Sequence, residues 1–217
     1  ISHPRFIHAY EARSHLSDDG MLRLGARSWQ RKTAQLLSWR SYASEASNEA
    51  LQVTTLPNKV RVATEATPGH FSAVGVYVDA GSRYERPWVP GESGVSHLLD
   101  RMAFKSTKGR TAEDMEQLIQ AVGGNVMCSS SRETIMYQSS VFNQDIRTVL
   151  DVFADTIQNP VMDANELGVQ REATAWEVSE IWSKPEMILP EIVHAVAYQN
   201  NTLGHPLLCP MENLDIV

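Results

Sequence analysis

Along most of the chain, apolar and polar positions first alternate and then repeat at helical spacing. Leu51-Gln52-Val53-Thr54-Thr55-Leu56 has period two, which predicts a strand. Pro57-Asn58-Lys59 has turn chemistry, and Val60-Arg61-Val62-Ala63-Thr64-Glu65 returns as a second strand. Another turn, Thr67-Pro68-Gly69-His70, leads into Phe71 to Val78, whose aromatic and β-branched residues predict a third. The Pro/Gly stretch around Trp88 to Gly91 interrupts the pattern, and a helix follows from about Ser93 to Met102. Thr111 with Glu113 and Asp114 behind it is a helix start. The hydroxyl can accept a free amide N–H, and the acids meet the positive end of the helix dipole. That helix puts Met115, Leu118, Ile119 and Val122 on one face and stops at Gly123-Gly124.

Asn125 to Ser130 and Thr134 to Phe142 read as two antiparallel strands joined through Ser131-Arg132-Glu133. Helical spacing resumes from Asp145 to Gln158, with Ile146, Val149, Leu150, Phe153 and Ile157 in one stripe, and ends at Asn159-Pro160. Further helices are predicted from roughly Ala164 to Trp182, and from Pro185 to about Tyr198. Runs of strands followed by runs of helices predict an α+β fold: a mainly antiparallel sheet with helices packed on one face. His70 falls in a turn and is expected at the surface; His194 and His205 are expected to be structural or surface residues.

Composition adds little to this picture, but charge adds more. The chain has 217 residues, 42% hydrophobic and 21% charged, enough for one sizeable core. No apolar run approaches bilayer length, so no direct membrane span is expected. Cys128 and Cys209 lack metal-type spacing and are expected to be reduced thiols. Residues 1–44 contain 7 basic and 3 acidic residues. Taken from totals of 19 and 26, this leaves 12 and 23 from Glu45 onward, a net charge of −11. A basic leader on an acidic body argues against nucleic acid as the partner and leaves cationic peptides as a natural one, though the same charge also serves solubility.

Residues 21–42 have the makeup of a mitochondrial targeting presequence. They carry Arg23, Arg27, Arg31, Lys32 and Arg40, no acid, and a partly amphipathic set of Leu22, Leu24, Trp29, Leu36 and Trp39. Arg40-Ser41-Tyr42 before Ala43 resembles the cleavage junction of matrix-targeting sequences, so a mature chain would begin near Ala43. Residues 1–20 then read as a non-native upstream extension with no function assigned. The folded domain is expected over residues 51–217, as the N-terminal part of a longer subunit.

The candidate chemistry lies in His97-Leu98-Leu99-Asp100-Arg101. An H-x-x-E-H helix offers two zinc ligands four residues apart on one face, with a Glu as general base. Here Asp100 stands at the base position and Arg101 at the second ligand position. A guanidinium has no lone pair to give a metal.

Several stretches together resemble the pitrilysin-type (insulinase-like) metallopeptidase family. They are Leu56-Pro57-Asn58-Lys59, Ala80-Gly81-Ser82-Arg83-Tyr84-Glu85, Gly94 through Thr107, Gly123-Gly124-Asn125, Arg132-Glu133 and Asn159-Pro160. The resemblance implies a third zinc ligand 76 residues beyond the second ligand position, and Glu177 stands 76 residues beyond Arg101. His97, Asp100, Arg101 and Glu177 are thus the positions of a vestigial zinc site. None is an intact catalytic residue, and Arg101 is expected to occupy the metal's place and neutralise Glu177 and Asp100.

Within the family, the H-x-x-D-R form followed by Ala103-Phe104-Lys105-Ser106-Thr107 looks like the non-catalytic alpha-type subunits of mitochondrial presequence-processing peptidases. The stretch from Glu180 to Pro210 looks like fungal versions. The resemblance implies a matrix heterodimer in which a catalytic beta subunit holds the zinc, this chain binds no cofactor, and cationic presequence peptides are recognised. A structural core subunit of the respiratory cytochrome bc complex is the alternative.

Overall fold

The computed structural model describes residues 6–8, 51–123, 125–199 and 201–217. One sheet runs through it in the order β2-β3-β1-β4-β6-β5. Its strands are β1 (Phe6–His8), β2 (Gln52–Thr55), β3 (Arg61–Thr64), β4 (Phe71–Val78), β5 (Asn125–Ser130) and β6 (Ile135–Phe142). All pairs are antiparallel except β1 with β3, so the fold is the α+β arrangement that the pattern predicts. The stretch assigned no function supplies a strand: Phe6–His8 sits between β3 and β4. Short, low-contrast segments of this kind carry no periodicity to read. The expected leader and its junction at Arg40, Tyr42 and Ala43 lie outside the described residues.

The helices are α1 (Val95–Arg101), α2 (Ala112–Val122), α3 (Ile146–Gln158), α4 (Ala164–Trp182) and α5 (Pro185–Ala197). The main core lies between the sheet and α2 and α3. Alternate β6 residues Ile135, Tyr137 and Val141 are buried there with Val74, Met115, Val149, Val152 and Phe153. Phe104, from the segment after α1, makes an edge-on contact with Tyr137 at 6.0 Å between ring centroids. The start of α2 is a full capping box. Thr111 Oγ1 accepts the Asp114 amide at 3.1 Å, and Asp114 Oδ2 accepts the Thr111 amide at 3.1 Å. Asp163 caps α4 with its side chain alone, accepting the Asn165 and Glu166 amides.

A second, smaller cluster of Leu98, Cys209 and Leu214 sits where the C-terminal segment crosses α1. His194 Nδ1 lies 3.2 Å from the Leu203 carbonyl and His205 Nδ1 lies 3.0 Å from the Ser82 carbonyl, so both have the structural role expected of them. His70 is exposed. Among the described residues no helix is long and apolar enough to cross a membrane.

Candidate functional site

α1 is only seven residues long and has no capping side chain of its own. Glu85, from the preceding loop, supplies one. Its Oε2 accepts the Gly94 amide and its Oε1 accepts the Ser96 amide, each at 2.8 Å. A carboxylate there satisfies two free donors and meets the positive end of the helix. The loop reaches this place because Gly81 passes against the β5–β6 turn, where a Cβ would lie 2.4 Å from the Ser131 carbonyl oxygen. Gly94 itself has φ of +93°, and a Cβ there would lie 2.5 Å from Cys209 Sγ. The Ala80–Glu85 and Gly94 motifs thus serve to seat the helix that carries His97, Asp100 and Arg101.

His97 is buried, 4% exposed. Its Nδ1 accepts the Cys209 backbone N–H at 3.1 Å. The proton of the neutral ring is therefore on Nε2, which faces Glu177 Oε2 at 3.5 Å. Burial pushes the imidazole pKa below its ordinary value, against the opposing pull of the Glu177 charge. The contact is accordingly that of a neutral ring with a carboxylate rather than an ion pair.

Glu177 projects from α4, and its Oε1 accepts from Arg101 Nη2 at 2.5 Å. The guanidinium therefore lies on the carboxylate that also faces His97. Asp100 goes elsewhere. Its Oδ2 accepts the Ser130 amide at 2.8 Å and the Ser130 hydroxyl at 3.2 Å. The structure brings His97, Arg101 and Glu177 together and sends Asp100 to β5. The expectation that Arg101 also neutralises Asp100 is corrected, since among the described residues Arg101 forms its ion pair with Glu177 alone. Successive helix positions are turned about 100° apart, so neighbours on α1 reach different walls of the site.

Zinc needs three or more protein donors with free lone pairs. Here Glu177 is bonded to a guanidinium and the His97 nitrogen that faces it carries a proton. Asp100 is held at the sheet edge. Burial pushes the Cys128 thiol up to about 12 and the Cys209 thiol up to about 11, so neither offers a thiolate. Both cysteines are free, as expected. Among the described residues no three His, Cys, Asp or Glu side chains converge on one point. The residues present do not fit a zinc ion.

Three parts of the site escape sequence reasoning: the Glu85 cap, the Cys209 amide and Ser130. Glu85 alone left a signal, as the last residue of a motif shared with the resembling family.

A helix bearing His97 and Arg101, a Glu supplied by a long helix 76 residues on, and an edge strand thus meet at one place. The model of the family described as Insulinase (Peptidase family M16) matches residues 61–211. The chain belongs to that family. Among insulinase-family proteins it is 50% identical over 186 residues to "Mitochondrial-processing peptidase subunit alpha" of Neurospora crassa, covering 85% of this chain and 32% of that one. It is 37% identical over 216 residues to the probable alpha subunit of Schizosaccharomyces pombe, covering 99% of this chain and 42% of that one. A beta subunit, from Blastocladiella emersonii, is 36% identical over 164 residues, covering 75% of this chain and 35% of that one. The chain thus spans between 32% and 42% of these relatives. A protease structure from Helicobacter pylori has the same fold, with a TM-score of 0.68 at 23% identity over 77% of this chain and 40% of that one.

Proposed function

We propose that this chain acts as the non-catalytic, substrate-recognising component of alpha type in a mitochondrial presequence-processing peptidase. It pairs in the matrix with a beta-type subunit and binds cationic presequences. One observation carries the reading: Arg101 Nη2 lies 2.5 Å from Glu177 Oε1, a pair we read as standing where an insulinase-family enzyme would hold its metal. A fixed positive charge there removes a ligand position and neutralises the remaining acid ligand, so this chain supplies no metal-activated water. Zinc and its chemistry would come from the partner. The similarity to fungal alpha subunits and the net charge of −11 beyond residue 44 support the same reading.

The test is co-expression with a fungal beta subunit, followed by cleavage of a matrix-targeted precursor. Cleavage is expected from the pair and not from either chain alone, with zinc following the beta chain in metal analysis. Stoichiometric zinc on this chain when isolated, or no association between the two, would overturn the proposal. The leader is part of the same reading: after import, the N-terminus is expected at Ala43 by mass spectrometry.

A further inference from the structure

β5 is an edge strand, and its end meets α1. The β5–β6 turn closes with the Ser131 amide donating to the Thr134 carbonyl at 2.8 Å. Bonded and non-bonded pairs alternate along an antiparallel ladder. Counting back through the register, Ser129 opposite Met136 and Met127 opposite Gln138 bond to β6. The backbone groups of Val126, Cys128 and Ser130 therefore face outward. Among the described residues no strand pairs with this row of amides and carbonyls, and such a row is what an extended peptide uses to add itself to a sheet.

The row is not open at its end. The Ser130 amide, nearest α1, is held by Asp100 Oδ2 at 2.8 Å, and the same oxygen accepts the Ser130 hydroxyl at 3.2 Å. We propose that Asp100 is an edge cap: it closes β5 where an added strand would run along α1 toward His97. Two features make the cap effective. A carboxylate is a stronger acceptor for an amide than the neutral carbonyl of an incoming peptide. The helix that carries it is pinned on its other side by Arg101 on Glu177, at 2.5 Å, so Asp100 does not swing away. The residue at the family's general-base position has become a positioning residue. The cap keeps an extended peptide from pairing at the Ser130 end of β5, beside α1, and leaves the outward groups of Val126 and Cys128 untouched. The inference rests on the proposed function only in taking a cationic peptide as the ligand.

Amide hydrogen exchange, read by NMR on the full chain, tests it. The probe is a synthetic peptide of residues 21–40, which carries five basic residues and no acid. In the wild type the Ser130 amide is expected to exchange slowly and to be unmoved by the peptide. In Asp100→Ala it is expected to exchange about tenfold to a hundredfold faster, and to be protected again when peptide is added. Asp100→Asn, which keeps one acceptor oxygen, should fall between. Fast exchange at Ser130 in the wild type, or peptide-induced shifts there, would overturn the cap. If Asp100→Ala does not fold, Ser130→Pro removes the donor at an outward position where no ladder bond is lost. Peptide should then shift the Val126 and Cys128 amides, and unchanged amides would count against the proposal. Failure of the cleavage assay with Ser130 still protected would sink the alpha-type reading and leave the cap standing.

Discussion

Helices α3 and α4 are built from similar amounts of apolar material and use it differently. α3 presses Val149, Val152 and Phe153 against β4 and β6, and Phe153 is fully buried. α4 is longer, at 19 residues, yet buries only Thr174 and Val178 and leaves Val169, Trp176 and Trp182 exposed. The first helix holds the fold together through a continuous stripe. The second holds the Glu177 carboxylate in place and packs Ala175 against the small Leu98–Cys209–Leu214 cluster, while Val169, Trp176 and Trp182 stay exposed. Most of the buried apolar surface against the sheet therefore comes from α3, and the Glu177 carboxylate from α4.

The largest expected effect separates the two helices directly. Phe153→Ala should cost about 3–5 kcal/mol in denaturant unfolding, from lost burial and the cavity left behind. A cost below about 1 kcal/mol would mean that α3 is not the main support. The next effect lies at the junction with α4. An unfolded His97 ring titrates near 6.5, whereas the buried ring titrates lower. As pH falls from that value toward the folded pKa, the unfolded chain gains a proton that the folded chain does not, so stability declines through this window and levels off below it. His97→Gln should flatten that slope between pH 7 and pH 5, and an unaltered slope would assign it to another group. The smallest effect is expected on α4 itself. Trp176→Ser should change the unfolding free energy by no more than about 0.5 kcal/mol. A larger loss would show that the exposed face packs on something in solution.

Much of this division is legible in the amino-acid sequence, for a physical reason. Where one face meets a core, the period survives in the residues, as in β6 and α3. The capping box at Thr111 and Asp114 is equally local and equally readable. Glu177 is legible only through its offset in a resembling family, because α4 has no stripe to announce it. What does not show is any contact made by a backbone group of a distant segment. The Cys209 amide on His97 spans 112 positions and the Ser130 amide on Asp100 spans 30, and neither leaves a mark on side-chain pattern. For the same reason the meaning of Asp100 changed between sequence and structure. A shortened general base suggests weakened chemistry, whereas the geometry gives it a different job at the edge of the sheet.

The exposed indoles have a practical consequence in spectroscopy. Trp88, Trp176 and Trp182 are 74%, 80% and 61% exposed. Rings this open to water are expected to emit at long wavelength, so the contribution of these three indoles to the intrinsic fluorescence should change little when the chain unfolds. It will change when something covers α4, since desolvated indole emits at shorter wavelength and escapes iodide quenching. The chain therefore carries an optical reporter of association on the helix that supplies Glu177, and it needs no label.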